Sequence, residues 1–238
     1  MTVALLLKEL LTGRWCGICD RPIKKGFICQ GCWEELRGAV IENFGCFYCG
    51  RRSTNGVVCW RCQRKDGLSG GVSLFRYQSK TGRLLHKFKY ERQKECARII
   101  EKMIEWWWER VGKKIEIIDY WRRHGFKLTY VPISKRRERW RGFNQAKFIA
   151  QVLSGILRLG VWEGIKKTKN TPPRVGLSKR ERWLSVRGCF EVIKPTEGVS
   201  GVVVVDDVIT TGATLKEMGR VLKKSGIKEV WFLSLLKT

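Results

Sequence analysis

Eight of the ten cysteines fall into two copies of one pattern near the N-terminus. Each copy contains two Cys-x-x-Cys pairs separated by nine residues, and the second copy begins 30 positions after the first. One Cys-x-x-Cys turn presents two thiolates to one ion, and two such turns complete a tetrahedral zinc site. The repeat therefore predicts two structural zinc ions, with ligands Cys16, Cys19, Cys29, Cys32, Cys46, Cys49, Cys59 and Cys62.

The spacing leaves two ways of pairing the four turns. Sequential pairing gives each repeat its own ion, whereas a cross-braced module would join the first turn to the third. Sequential pairing is favoured because each repeat is then a complete ribbon. Four thiolates leave no coordination position open for catalysis, so the metal is expected to be structural. Cys96 and Cys189 have no partners in the pattern and are expected to be buried packing residues.

A second group of residues with chemical potential lies at 202–215. Four consecutive valines predict a buried strand that ends in Asp206 and Asp207, and a loop of small residues then leads into a helix. Small side chains leave backbone N–H groups accessible to an oxyanion, and a helix N-terminus adds partial positive charge. Paired acids beside such a loop can accept hydrogen bonds from two vicinal hydroxyls. The segment therefore predicts a ribose 5-phosphate site whose phosphate contacts are Thr210, Thr211, Gly212, Ala213 and Thr214.

Two other interpretations fit the same segment: an ordinary strand-turn-helix with an acidic turn, and a simple metal site at the two aspartates. A Walker loop is excluded because no Gly-Lys-Ser/Thr follows the strand. The spacing of Thr214 and Glu217 predicts a capping box that would fix the start of the helix.

A basic stretch at 135–141 places five cations around Trp140. Guanidinium groups bind phosphate in a fork geometry, so Arg137 and Arg141 are candidates for a pyrophosphate site in a loop after the strand at 127–133. The same mixture of cations and a ring also suits single-stranded nucleic acid. A solvated basic loop is the remaining interpretation.

These residues must be positioned by alternating strands and helices. Strands are predicted at 72–77, 127–133, 202–205 and 229–236, helices at 81–90, 96–110, 144–159 and 214–224, and a hairpin-like excursion at 161–193. This order predicts an α/β fold with a mainly parallel sheet and flanking helices. A glycine-rich stretch at 67–71 divides it from the cysteine module, which gives domains at 1–66 and 72–238. Residues 3–11 favour a short docking helix.

The chain contains 48 Lys and Arg against 22 Asp and Glu, a formal charge of +26 over 238 residues. Such an excess indicates a polyanionic partner, for which phosphorylated metabolites, nucleic acid and membrane surfaces are all candidates. The longest early apolar run has five residues and is too short for a membrane span or a secretory signal. The chain is therefore expected to be cytoplasmic, without a membrane span.

Residues 204–214 resemble the signature of type I phosphoribosyltransferases that binds 5-phosphoribosyl-1-pyrophosphate (PRPP). The wider chain resembles the ComF/GntX family, in which a double zinc ribbon precedes such a domain. The blocks of this resemblance are 85–89, 131–133 followed by 141–146, and 171–190.

The resemblance implies that Asp206 and Asp207 hold the ribose hydroxyls, that 210–214 hold the 5-phosphate, and that 166–187 form a flexible loop over the site. It also implies a phosphoribosyltransferase with Mg²⁺ bound to PRPP and an acceptor that the sequence does not identify. Relatives of the ComF type are linked to DNA uptake and competence. The alternative is therefore a non-catalytic protein that binds single-stranded DNA and senses PRPP, with possible partners in the competence machinery.

Overall fold

The structure, a computed structural model, describes residues 14–42, 44–46, 53, 57–59, 62, 68–91, 94–169 and 178–238. Its main sheet has four parallel strands in the order β3-β8-β7-β4. These strands are β3 (Gly70–Arg76), β4 (Lys127–Tyr130), β7 (Gly201–Ile209) and β8 (Glu229–Lys237). Two antiparallel pairs stand apart from it: β1 (Arg14–Trp15) with β2 (Pro22–Ile23), and β5 (Ile165–Lys167) with β6 (Phe190–Val192). The predicted α/β fold with a parallel sheet is confirmed.

Helices cover both faces of this sheet. In chain order they are α1 (Gln30–Gly38), α2 (Ser79–Tyr90), α3 (Lys94–Arg110), α4 (Glu116–Arg123), α5 (Lys135–Arg141), α6 (Gln145–Leu157), α7 (Lys179–Leu184) and α8 (Ala213–Lys224). A 3-10 turn, Gly112–Lys114, connects α3 to α4. None of the helices in the described ranges is both long enough and apolar enough to cross a membrane.

The four valines of β7 are buried on both faces of the sheet, as their apolar run predicts. Successive side chains of a strand point to opposite faces. Val203 and Val205 accordingly pack in one cluster with α3 and α6. Val202 and Val204 pack in a second cluster with α8 and the β5–β6 pair.

The cysteine module covers the outer edge of the sheet. The backbone N–H of Ile41 donates to the carbonyl of Leu74 at 2.9 Å, and that of Val58 donates to Ser69 at 3.0 Å. An exposed strand edge is a template for unwanted pairing, so this cover protects β3. Trp33 of α1 also packs edge-on against Trp106 of α3, with ring centroids 6.4 Å apart. The module is therefore docked closely on the α/β core.

The glycine-rich stretch that the sequence suggests as a linker enters the sheet. Gly70 and Gly71 belong to β3, and a Cβ on Gly71 would collide with the ring of Phe232. A close approach of strand and ring therefore explains Gly71. The division into domains at 1–66 and 72–238 stays a prediction, and the docking helix at 3–11 lies outside the described residues.

Candidate functional site

The first cysteine repeat forms one cluster in space. The Sγ atoms of Cys16, Cys19, Cys29 and Cys32 all lie within 4.8 Å of one another. The Sγ atoms of Cys19 and Cys29 are 3.7 Å apart, close to the separation of about 3.8 Å that tetrahedral Zn–S bonds impose. This donor set and spacing fit a zinc ion, and the four cysteines of the first repeat lie in one cluster, as sequential pairing predicts.

The second repeat is similar over the residues that the structure describes. Cys46, Cys59 and Cys62 lie together with the same spacing limit, while Cys49 lies outside the described residues. The backbone N–H of Cys59 points to Cys46 Sγ at 3.3 Å, as Cys29 N–H points to Cys16 Sγ at 3.4 Å. The repeat in sequence is thus a repeat in geometry, and both clusters could hold a zinc ion.

Backbone donors prepare the first cluster for metal. Burial opposes ionisation of Cys16, but the backbone N–H groups of Cys19, Cys29 and Ile18 together lower the pKa of its thiol to about 6. A thiolate is the form that binds metal, so these bonds favour the ligand state. In contrast, burial raises the pKa of Cys96 to about 12. Cys96 and Cys189 are buried, as predicted.

The predicted phosphate turn follows β7, but the strand is longer than the sequence suggests. Asp206 and Asp207 do not end it, because β7 pairs with β8 as far as Ile209. The turn itself comprises Thr210, Thr211 and Gly212, and Gly212 has a left-handed backbone with φ of 71°. Helix α8 begins directly afterwards at Ala213, so its N-terminus faces the turn.

The predicted capping box is wrong. The N-cap of α8 is Gly212, with no side-chain cap, and Thr214 lies inside the first turn. The carboxylate of Glu217 instead accepts a hydrogen bond from the backbone N–H of Gly188 at 2.8 Å and pairs with Arg220 at 2.6 Å. Burial opposes its ionisation, but these partners hold the pKa of Glu217 below its usual range. Glu217 therefore joins α8 to the segment before β6.

The loop after β4 lies beside the phosphate turn because β4 and β7 are neighbouring parallel strands. Asn144 fixes its position. Its side-chain oxygen accepts from Ala146 N–H at 2.9 Å and caps α6, while its amide nitrogen donates to the carbonyl of Val131 at 3.1 Å. One buried side chain thus ties the loop at 131–134 to the start of α6.

The basic stretch is a helix, α5, and not the loop that the sequence suggests. Ser134 Oγ caps its start and Gly142, with φ of 83°, ends it. Arg137 and Arg141, four residues apart, therefore lie on one helical face. Burial, and then the nearby charge of Arg141, lowers the pKa of Arg137 below its usual range. Because two positive guanidinium groups on one helical face repel each other, an anion bound between them would be favoured.

One open cleft of about 690 Å³ brings these parts together at the carboxyl end of the sheet. Its lining includes every residue that the sequence assigns to ribose, phosphate or pyrophosphate: Asp206, Asp207, Arg137, Arg141, Thr210, Thr211, Gly212, Ala213 and Thr214. Ligands of open α/β sheets bind at this edge. Two further lining cations, Lys89 and Lys167, lie in segments that the family resemblance marks, 85–89 and 166–187, but without an assigned role; Tyr90 lies outside both segments. Lys89 Nζ lies 2.8 Å from Asp207 Oδ2.

Five buried side-chain polar atoms have no hydrogen-bond partner in the described part of the chain, and two of them belong to residues that line the cleft. These two are Nε of Arg141 and Nε2 of Gln145. The same two residues are joined by a bond of 2.9 Å from Arg141 Nη1 to Gln145 Oε1. Buried donors normally have partners, so these two atoms are available to donate to an acceptor in the cleft.

The loop expected to close over the site is described in part. Residues 165–167 form β5, of which Lys167 lines the cleft, and 179–184 form α7 with a capping box between Ser178 and Glu181. Residues 170–177, which include part of one block of the family resemblance, lie outside the described residues. Closure of the loop stays a prediction.

Known proteins are similar to this chain over most of its length. Residues 141–237 match the phosphoribosyl transferase domain. The chain is 30% identical to the DNA utilization protein YhgH of Escherichia coli O157:H7, over 94% of this chain and 96% of that protein. It is 29% identical to competence protein F of Haemophilus influenzae, over 89% and 92%. It is 28% identical to competence protein ComFC of Bacillus subtilis, over 84% and 79%.

Proposed function

The chain belongs to the ComF/GntX family, and we propose that it binds PRPP in the cleft and transfers the phosphoribosyl group to an acceptor. The supporting observation is that cations and acids converge there in the places that PRPP requires. Lys89, Arg137, Arg141 and Lys167 line a cleft whose lining acids are Asp206 and Asp207. A pyrophosphate and a 5-phosphate need cations and N–H donors, whereas ribose hydroxyls need acceptors.

Each part of the ligand has its own position in this proposal. The 5-phosphate lies in the turn at 210–214, where the N-terminus of α8 faces it. Asp206 and Asp207 accept hydrogen bonds from the two ribose hydroxyls. The pyrophosphate lies against Arg137 and Arg141, whose shared helical face lines the cleft. Gln145 Nε2 and Arg141 Nε then donate to ligand oxygens.

The proposed reaction is a substitution at the ribose C1. The bond from C1 to the pyrophosphate oxygen breaks, pyrophosphate leaves with the electron pair, and a lone pair of the acceptor forms the new bond. The two arginines stabilise the charge that develops on the departing pyrophosphate. Mg²⁺ bound to PRPP would add positive charge at the same oxygens.

The two cysteine clusters hold structural zinc in this proposal. Cysteines that bind metal and form no disulfides suit a cytoplasmic protein.

A screen for pyrophosphate release tests the transferase. Zinc-loaded protein is mixed with PRPP and Mg²⁺ and with a panel of bases and amines, and released pyrophosphate is measured. At least one acceptor should give release that is absent in Asp206→Asn/Asp207→Asn. Glu163→Gln, whose carboxylate pairs with Lys147 and is absent from the cleft lining, serves as the control with release unchanged. Release absent across the whole panel would count against transfer.

A second candidate function is binding of single-stranded DNA, possible with or without catalysis. The relatives are named for DNA utilization and competence, and this chain has a formal charge of +26. Exposed Trp140 and Tyr90 lie at the cleft with ring centroids 5.8 Å apart, and the guanidinium of Arg141 lies 5.1 Å from the Tyr90 ring. Exposed rings among cations suit bases and phosphates. Partners in the competence machinery belong to the same proposal.

Salt dependence tests this candidate. Binding of a fluorescent single strand should weaken steeply between about 50 and 200 mM salt, since cations displace condensed counterions. Trp140→Ala should bind the single strand more weakly than the wild-type protein, because the substitution removes a stacking surface. Affinity below detection at low salt would remove this candidate and leave the transferase untouched.

A further inference from the structure

Helix α2 contacts the first cysteine cluster with one face of its last turn and the cleft with the other. Lys87 points to the module and Lys89 to the cleft. Residues two positions apart on a helix are about 200° apart around its axis, so these side chains leave on nearly opposite faces. The last turn of α2 is therefore held between the metal module and the proposed ligand site.

On the module side, the contact begins at the zinc knuckle itself. Asp20 directly follows Cys19, has a left-handed backbone with φ of 59°, and donates its N–H to the carbonyl of Cys16 at 3.0 Å. Its carboxylate accepts from Lys87 Nζ, and from Arg83 Nη2 at 2.8 Å. The knuckle turn thus sets where this carboxylate lies.

Lys87 is the buried partner in this contact. Its side chain is 6% exposed, against 50% for Arg83. A buried ammonium is costly without a charged partner, whereas an exposed ion pair contributes little. Lys87 also lies 4.0 Å from Glu91, directly after its own helix, but Asp20 is the acid that joins Lys87 to the module. The Asp20–Lys87 pair is therefore the contact that fixes the end of α2 against the module, and Arg83 supplements it.

On the cleft side, the same turn provides two lining residues. Lys89 Nζ lies 2.8 Å from Asp207 Oδ2, with side chains 16% and 13% exposed. Tyr90 accepts a hydrogen bond at its hydroxyl from Arg141 Nη2 at 3.3 Å. The turn thus touches both halves of the proposed site, the acid that would hold ribose and the arginine that would hold pyrophosphate.

We infer that the first cysteine cluster is a positioning element of the phosphate cleft, acting through Asp20 and Lys87 on Lys89. The knuckle holds Asp20, Asp20 holds Lys87, and the shared helical turn places Lys89 at Asp207. The ligand class is a phosphorylated sugar, so the inference rests on the proposed function. It assigns Asp20 and Lys87 as positioning residues and Lys89 as a residue that contacts the ligand.

The test is a double-mutant cycle on PRPP affinity measured by calorimetry with Mg²⁺. Asn tolerates a left-handed backbone, so Asp20→Asn removes the charge and keeps the turn. It should weaken affinity about tenfold with the zinc content unchanged. In a Lys89→Met background the same substitution should have almost no further effect, because the residue that it positions is gone.

Lys80→Met is the matched control. Lys80 lies at the other end of α2 and also pairs with the module, at 3.8 Å from Glu35. Affinity in this variant should stay within about twofold of wild type, since this longer pair with an exposed Glu35 contributes little and Lys80 lies at the far end of α2 from Lys89. If Asp20→Asn loses zinc, Lys87→Met replaces it in the cycle, because Lys87 lies outside the knuckle.

The outcomes separate the two proposals. Wild-type protein that fails to bind PRPP defeats the proposed function. Wild-type binding that is unchanged in Asp20→Asn and in Lys87→Met overturns the inference and leaves the proposed function intact. An equal loss with and without Lys89 also overturns it, since the effect would then be general destabilisation.

Discussion

Asn144 gives a sharp test of how the cleft is assembled. It is 6% exposed, it caps α6 through Ala146 and Lys147, and it donates to the carbonyl of Val131. In Asn144→Ala, loss of an N-cap costs about 1 kcal/mol. A buried carbonyl left without its donor costs roughly 1–3 kcal/mol more. The expected total is about 2–4 kcal/mol, or a Tm lower by roughly 4–16 °C for a chain of this size.

Asn144→Ser divides this total into its two parts. Serine caps a helix about as well as asparagine, but its side chain is too short to replace the donor to Val131. Urea unfolding should therefore place Asn144→Ser below wild type by roughly 1–3 kcal/mol. Asn144→Ala should lie about 1 kcal/mol lower still. The reasoning is refuted if Asn144→Ala unfolds within about 0.5 kcal/mol of wild type.

Three further predictions concern the metal clusters and the buried ionisable groups. Metal analysis should give two zinc ions per chain and one in Cys16→Ser; an unchanged content would contradict the assignment of the first cluster. Glu217→Gln should destabilise the fold by about 1–3 kcal/mol at pH 7. Because the folded pKa of Glu217 is lowered, its contribution is present above the ordinary value of about 4.3 and is lost as pH falls through the lower folded value. Urea midpoints of variant and wild type should thus converge as pH falls below the lowered folded pKa of Glu217, and a constant gap would argue against an ionised Glu217. Burial raises the pKa of Cys96, so mass spectrometry after alkylation at pH 8 should find it unmodified in the folded protein and modified after unfolding.

Local sequence patterns were sufficient to predict the cysteine clusters and the turn after β7. The spacing of the cysteine repeat alone predicts the two cysteine clusters, and the four valines followed by two acids and small residues predict the turn that lines the cleft. Both signals lie within short segments, where sequence distance limits spatial distance. Both signals can therefore be recognised without any knowledge of tertiary packing.

Contacts between distant segments could not be predicted in this way. Lys89 and Tyr90 join the cleft because α2 packs beside it, and the resemblance block at 85–89 gives Lys89 no role there. Glu217 accepts a hydrogen bond from Gly188, 29 residues away, and therefore does not form the local capping box that its spacing to Thr214 suggests. Strand β7 continues through Asp207 because β8 supplies partners as far as Lys237.

The missed helix α5 has a different cause. Its five cations suggested a basic, phosphate-binding loop, yet Ser134 and Gly142 are an ordinary N-cap and C-cap. These two residues were a usable local signal. Giving caps more weight than charge would have placed Arg137 and Arg141 on one face from sequence alone.

The most direct test of the central claim is calorimetric titration of zinc-loaded protein with PRPP and Mg²⁺. We expect saturable binding of one PRPP per chain, and loss of that binding when Asp206 and Asp207 are both changed to Asn. A titration without binding heat, combined with an unchanged Tm in the presence of PRPP, would contradict the claim that the turn after β7 receives a sugar phosphate.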